Sequence, residues 1–193
     1  LCKDAPDILD SAGHPVADAV GPAHATMPIT GTGEVAVSGS AGQQLRMELP
    51  PEAYANGSAN VADDGTVVYR GRSEVVVQAQ EDGVRVHTIL VDASAATEFT
   101  YSFDGLLPLL KDDGTVDLTI DGPDGVAIVL GSVASPWAVD ANGAEVPTRY
   151  RIEGNAVVQE VDHDSGQYDY PVVADPSVSL GRYVYVRYNK TEV

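Results

Sequence analysis

The 193-residue sequence contains a single cysteine, Cys2, close to its N-terminus. One cysteine cannot form a disulfide bond within the chain, so the disulfide framework typical of small secreted domains is excluded. Leu1 precedes it, whereas a lipidated cysteine usually follows a small residue. We therefore expect Cys2 to be free or to pair with a cysteine outside these residues.

Basic residues are also scarce. Lys and Arg total 11 against 29 Asp and Glu, which gives a formal net charge of −18. A field of this sign repels phosphate backbones and anionic lipid head groups, so we predict that the chain does not bind nucleic acid. The same acidity favours solubility and discourages edge-to-edge association of β-sheets.

Long apolar runs are absent. No run reaches 18 consecutive apolar residues, and a membrane-spanning helix needs about 20. The chain is therefore predicted not to span a membrane. It carries no recognisable signal peptide and begins with Leu1 rather than Met, so we expect that an upstream segment was removed.

A repeated turn signal divides the rest of the sequence. Acidic residues followed by glycine tolerate the positive φ angles of tight hairpin turns, and they separate short Val-rich segments that are typical of pleated sheets. This rhythm favours an antiparallel β fold. The turns are Asp63–Thr66, Glu81–Gly83, Asp112–Thr115, Asp124–Gly125, Asp140–Gly143 and Asp164–Gly166.

The segments between these turns alternate apolar and polar residues, as half-buried strands do. Residues 97–103 place Phe99, Tyr101 and Phe103 on one face, which predicts an aromatic anchor of the core. Residues 84–91 are predicted to form a central strand because they become apolar on both faces. About twelve such strands predict an all-β fold, an antiparallel β-sandwich.

The sequence predicts one domain between two ends. Residues 1–30 are expected to form an irregular N-terminal arm because four prolines interrupt them. Residues 31–176 are the predicted sandwich, and 106–110 a packed loop around Pro108 within it. Residues 177–193 are predicted to hold a C-terminal strand and the start of a following segment, with a helix start near Asn189.

Two segments carry a family resemblance. Residues 131–150, which include Trp137 and Asn142-Gly143, and the stretch YPVVADP at 170–176 resemble uncharacterised exported proteins of actinobacteria. In those proteins an acidic β domain ends in a YPVVADP stretch. The resemblance implies a secreted or cell-surface location and an apolar, cysteine-containing helical tail after this chain. It implies no catalytic residues.

No known catalytic arrangement is evident. Ser38–Gly42 does not match the G-x-S-x-G pattern of a nucleophile elbow. His163 lies between Asp162 and Asp164, but neighbouring strand residues point to opposite faces. We therefore predict a non-enzymatic protein.

Calcium is the best-supported metal hypothesis, because calcium binds carboxylate and carbonyl oxygens. Asp162, Asp164 and Asp169 are one candidate cluster, and the three acidic residues at 112, 113 and 117 are another. Neither follows the EF-hand spacing. The alternative is that these carboxylates accept hydrogen bonds from turn amides and that no cofactor binds.

Aromatic residues suggest a carbohydrate site. β-sandwich lectins stack sugars on exposed aromatic rings, and two pairs are candidates, namely Trp137 with Tyr150 and Tyr183 with Tyr185. The alternative is that these rings fill the core.

Together these patterns favour one main function and one alternative. The main expectation is a carrier, shielding or binding module for a following C-terminal segment, of an antibacterial or membrane-active protein. Its partner would be that segment or another extracellular protein. The alternative is an extracellular adhesin or carbohydrate-binding module that recognises a glycan.

Overall fold

A computed structural model describes residues 16–18, 24–39, 44–53, 59–122 and 126–186, with the backbone alone at 16–18 and 182–186. Within these ranges the chain is built of strands, with one short 3-10 turn at Pro51–Ala53. The described residues contain no helix that is long and apolar enough to cross a membrane. In chain order the strands are β1 (Val16–Asp18), β2 (His24–Thr26), β3 (Glu34–Ser38), β4 (Gln44–Glu48), β5 (Ala59–Val61), β6 (Val67–Tyr69), β7 (Glu74–Ala79), β8 (Gly83–Leu90), β9 (Glu98–Phe103), β10 (Leu107–Leu110), β11 (Val116–Asp121), β12 (Ala127–Val133), β13 (Ala138–Val139), β14 (Thr148–Glu153), β15 (Ala156–Val161), β16 (Val172–Ala174) and β17 (Ser177–Val186).

The strands form two antiparallel sheets, which confirms the predicted β-sandwich. A seven-stranded sheet runs in the order β1-β2-β3-β4-β9-β15-β14. A ten-stranded sheet runs β10-β11-β12-β17-β8-β7-β6-β5, with β16 paired to β8 and β13 paired to β16. The prediction of about twelve strands is too low, because the additional strands are mostly of two to four residues. Segments that short carry no clear alternation.

The inner faces of both sheets meet in one apolar core. Phe99, Tyr101 and Phe103 of β9 are fully buried, as the alternation of that segment predicts. The hydroxyls of Thr88 on β8 and Tyr101 on β9 are 2.9 Å apart, so a polar contact also joins the two sheets. The central position predicted for residues 84–91 is confirmed, since β8 pairs with β7, β16 and β17.

Four of the six predicted acidic–glycine turns have the geometry that their sequence predicts; Gly83 instead begins β8, and residues 124–125 lie outside the described part of the chain. Gly65, Gly114, Gly143 and Gly166 all have positive φ angles between 76° and 83°. The carboxylates next to them accept hydrogen bonds from turn amides, as in the 2.9 Å contact from the Thr115 amide to Asp113 Oδ1. Asp64, Asp113 and Asp140 each stabilise their turn in this way.

Two local predictions are wrong. The N-terminal arm is not irregular throughout, because β1 and β2 are strands and β2 pairs with β3 across the predicted boundary at residue 30. The apolar segment at 107–110 is not a loop but the edge strand β10, paired with β11. An edge strand accommodates Pro108, which has no amide proton to donate.

The predicted boundary at residue 176 does not separate two parts of the fold. Strand β17 begins at Ser177 and lies between β12 and β8 in the ten-stranded sheet. The sandwich therefore includes residues up to 186. The helix start predicted at 189–193 lies outside the described residues.

Where β8 meets β17, the two backbones approach too closely for any side chain. A Cβ atom at Gly83 would overlap the carbonyl oxygen of Val178 and lie 2.7 Å from Ser179 Cα. Only glycine fits this crossing without a backbone shift.

We expect Gly83→Ala to lower the free energy of unfolding by about 1–3 kcal/mol, the usual range for an overpacked site. Urea denaturation followed by the fluorescence of Trp137 measures this change. The control is Arg85→Ala, an exposed position on the same strand, for which we expect a change within about 0.5 kcal/mol. Equal stabilities of the two variants would contradict the close approach.

Candidate functional site

The side chain of Trp137, the sole tryptophan, lies on the outer surface where β13 joins the ten-stranded sheet. It is 39% exposed. Its backbone is held on both sides by Asp175: the Trp137 amide donates to Asp175 Oδ1 over 2.9 Å, and the Asp175 amide donates to the Trp137 carbonyl over 3.3 Å. These two bonds fix the ring at the surface.

The Trp137 ring is packed edge-to-face against the imidazole of His87. The ring centroids are 5.7 Å apart and the planes meet at 70°. Partial burial lowers the pKa of His87, and the charge of Arg85 lowers it further. The imidazole is therefore neutral at pH 7, and the pair presents an uncharged aromatic surface.

A groove of about 580 Å³ opens beside Trp137. Its lining is largely apolar, with Glu145 as the one charged residue. We call this feature the Trp137 groove. It is lined by residues 136–139 and 145–148.

An aliphatic row continues from the groove across the outer face of the sheet. Val139 of β13 pairs with Val173 of β16, which pairs with Ile89 of β8. All three side chains are partly buried. The groove, the aromatic pair and this row form a largely apolar surface, with Glu145 in the groove and Glu74 opposite Ile89 as its charged neighbours.

Beneath this surface lies a buried polar cluster centred on Asp175, which is fully inaccessible to solvent. Asp175 Oδ1 accepts the Trp137 amide and is 3.4 Å from Gln159 Nε2. Gln159 Nε2 also lies 3.2 Å from Thr148 Oγ1, at the rim of the groove. The cluster thus connects the groove to the interior.

Three atoms of the cluster have no hydrogen-bond partner among the described residues. They are Asp175 Oδ2, Gln159 Oε1 and Tyr150 Oη, and all three are buried. An unpartnered buried polar atom costs about 1–3 kcal/mol. Native proteins keep few such atoms, so each of them calls for an explanation.

Burial controls the acidity of the cluster. Desolvation raises the pKa of Asp175 to about 6, against the lowering effect of the Trp137 amide hydrogen bond. Burial also raises the phenol pKa of Tyr101 and of Tyr150, with the charge of Asp175 as a further cause in both. Both phenols therefore stay neutral, and Asp175 is the group that titrates near physiological pH.

Of the two aromatic pairs predicted for a sugar site, Trp137 and Tyr150 do not share an exposed surface. Trp137 lines the groove, but Tyr150 is only 5% exposed and belongs to the core, so it offers no face to a sugar. The backbones of Tyr183 and Tyr185 lie in β17. Their side chains are outside the described part of the chain.

The aspartates predicted for calcium are separated. Asp162 and Asp164 line a different groove, where Glu98 and Glu160 are paired with Arg151.

The third aspartate, Asp169, accepts a 2.6 Å bond from Asn142 Nδ2. Its amide donates to Asp140 Oδ2, which closes the neighbouring turn. No group of three metal-ligating side chains occurs within the residues that the structure describes. Calcium binding stays a prediction.

The second predicted cluster, at 112, 113 and 117, is engaged in local contacts. Asp113 accepts the Thr115 amide and hydroxyl, and Asp117 lies 3.1 Å from Lys111 Nζ. This arrangement matches the alternative in which turn carboxylates bind amides.

His163 is not part of a catalytic triad with its neighbours. The imidazole is buried, with Nδ1 2.9 Å from Tyr170 Oη and Nε2 3.1 Å from the carbonyl oxygen of Ala96. Asp162 and Asp164 are exposed on either side of it. These contacts give His163 a structural role.

The Asp175 cluster was missed by sequence reasoning, although a signal exists. Gln159 follows Val157-Val158 and Asp175 follows Val172–Ala174, so each is a polar residue at the end of an apolar run. A polar residue directly after an apolar run either lies in a turn or is buried, and a buried polar residue is unusual enough to be examined as a candidate site. Only the fold brings the two together.

Comparison of the chain with protein-family models, with curated proteins and with solved structures finds no match.

We expect a buried Asp175 with a raised pKa to make stability depend on pH. The unfolded carboxyl has a pKa of about 3.9, while the folded one is about 6. Between these values the unfolded state releases its proton first, so this contribution to stability falls as pH rises from about 4 to about 6. At about 1.4 kcal/mol per pKa unit, the loss is about 2–3 kcal/mol.

Urea unfolding from pH 4 to pH 7 tests this expectation on the wild type, on Asp175→Asn and on the exposed control Asp104→Asn. The difference in unfolding free energy between wild type and Asp175→Asn should change with pH by that amount, and Asp104→Asn should follow the wild type. If the unfolding free energies of all three proteins change with pH in parallel, the pKa of Asp175 is not raised in the folded state and this expectation is wrong.

Proposed function

We propose that this protein is a non-enzymatic, exported β-sandwich that acts as a carrier or shielding module for the polypeptide that continues from its last strand. The observation that carries the proposal is the position of β17. This strand is hydrogen-bonded to β12 on one side and to β8 on the other, near the middle of the ten-stranded sheet. Residues 177–179 of β17 pair with β8, whereas its last residues, 184–186, pair with β12 alone among the described strands. A segment that follows β17 would therefore leave from a strand that is anchored in the middle of the sheet by its first half.

The charge of the chain supports the same role. A net charge of −18 keeps a module soluble while it is joined to an apolar segment. It also repels anionic membranes, which delays contact between such a segment and a lipid surface. The resemblance of the YPVVADP stretch to exported actinobacterial proteins supports a secreted or cell-surface location.

A second candidate function is ligand binding at the Trp137 groove, as in an adhesin or a carbohydrate-binding module. The observation that favours it is the exposed Trp137 ring beside a groove of about 580 Å³. Tryptophan supplies a large rigid apolar face with a polar N–H, which suits the stacking of a sugar ring. Tyr150 contributes nothing to that face because it is buried.

The carrier proposal predicts that further residues follow Val193 in the mature protein. Mass spectrometry of the C-terminal peptides of the protein isolated from its native source identifies the C-terminus. We expect peptides that extend beyond Val193 into additional apolar residues. If the mature chain ends at Val193, the carrier proposal is wrong.

The ligand-binding proposal predicts that the wild type binds to a glycan array and that the Trp137→Ala variant binds the same glycans more weakly. Removal of one stacked aromatic ring should weaken binding by about tenfold, or about 1.4 kcal/mol. The matched control is Leu107→Ala, which removes an apolar side chain of similar exposure on β10. Arrays that are empty for all three proteins would exclude a glycan as the ligand.

A further inference from the structure

The peptide bond between Asp175 and Pro176 joins β16 to β17, and it is the one Asp–Pro bond in the sequence. Backbone hydrogen bonds hold the residue on each side of this peptide bond. The Asp175 amide donates to the Trp137 carbonyl over 3.3 Å, and the Pro176 carbonyl accepts the Val86 amide over 2.7 Å. The bond is therefore held in one geometry between two paired strands.

The two oxygens of the Asp175 carboxyl differ in their hydrogen bonds. Oδ1 is held by the Trp137 amide, whereas Oδ2 has no partner among the described residues, although the side chain is fully buried. Two oxygens of one carboxyl therefore differ, one positioned by a donor and the other unengaged. An unengaged carboxyl oxygen can act as a nucleophile on a neighbouring carbonyl carbon.

Pro176 makes the bond easier to break than an ordinary peptide bond. Its nitrogen belongs to a tertiary amide and carries no hydrogen. Such a nitrogen is more readily protonated, and it leaves as a secondary amine.

We propose that Asp175–Pro176 is a self-cleavage site of this protein. Asp175 Oδ2 attacks the backbone carbonyl carbon of Asp175 and forms a five-membered cyclic anhydride. The carboxyl proton passes to the nitrogen of Pro176, the C–N bond breaks and Pro176 leaves as a free secondary amine. One water molecule then opens the anhydride and leaves two carboxyl groups on the new C-terminal Asp175. Nothing is oxidised or reduced, and no co-reactant other than water is needed.

The surroundings of Asp175 supply the proton that this step needs. Desolvation raises its pKa to about 6, so a large share of the folded protein carries the acid form in mildly acidic solution. The titratable groups that face it across the core are the phenols of Tyr101 on β9 and Tyr150 on β14; burial raises the pKa of both, the charge of Asp175 raises it further, and both stay neutral. Cleavage is therefore fastest in mildly acidic solution and slows as pH rises above 7.

Cleavage would divide the covalent chain and leave the fold assembled. The new fragment begins at Pro176 and contains β17, which keeps its hydrogen bonds to β12 and β8. Native size-exclusion chromatography would show one particle, and denaturing mass spectrometry would show two chains. This inference does not depend on the carrier proposal.

The test is incubation of the purified full chain at pH 5.5 and at pH 8, followed by denaturing mass spectrometry. We expect fragments that end at Asp175 and begin at Pro176, with their masses summing to the intact mass plus one water. Cleavage should be at least tenfold faster at pH 5.5 than at pH 8. It should also be at least tenfold faster in the folded protein than in the same protein unfolded in urea at pH 5.5.

Two variants separate self-cleavage from a loss of folding. Asp175→Asn removes the carboxyl that attacks, and Pro176→Ala replaces the leaving group while keeping that carboxyl; both should reduce cleavage at pH 5.5 by at least tenfold. Circular dichroism confirms that each variant is folded, and Asp104→Asn serves as a control that cleaves at the wild-type rate. Cleavage of the folded wild type no faster than that of the unfolded chain, or no cleavage at all, would overturn the proposal.

Discussion

The hydrogen bonds between Asp175 and the backbone of Trp137 are the contacts on which the rest of the site depends. They hold β13 against β16, which sets the Trp137 ring at the surface and forms one wall of the groove. The same carboxyl extends inward to Gln159 and thereby joins the surface to the interior between the sheets. One buried side chain therefore links the outer face, the core and the start of β17.

Burial explains why this aspartate differs from the others in the chain. Asp64, Asp92 and Asp113 are exposed, and each has its pKa lowered by hydrogen bonds from a serine or threonine that follows it in a turn. Asp175 also accepts hydrogen bonds, yet desolvation outweighs them and raises its pKa. Asp140 is also buried, but there the backbone amides of Asp169 and Ala144 outweigh desolvation and lower the pKa. The balance between desolvation and donors therefore decides the pKa of each carboxyl.

Because β17 lies between β12 and β8, the ten-stranded sheet cannot form without the C-terminal residues of the described chain. A strand in the middle of a sheet cannot be removed without breaking two ladders, and here the ladders are those to β12 and β8. Gly83 and Gly131 allow the close approach, because a side chain at either would overlap the backbone of β17. Folding of the ten-stranded sheet is therefore completed only when the last strand has been added.

The sequence by itself determined the β class, the sandwich, the hairpin turns and the aromatic anchor of β9, because these follow from alternation and from the local geometry of acidic–glycine turns. Short strands of three residues, such as β2 and β5, were not predictable, since they carry too few residues to show a period. Only the tertiary structure decided the site. Trp137, Gln159 and Asp175 are far apart in the chain, and long-range strand pairing brings them together. The same pairing buried Tyr150 and left Trp137 exposed, a distinction that depends on which face of a sheet is covered and that no local pattern around these two residues contains.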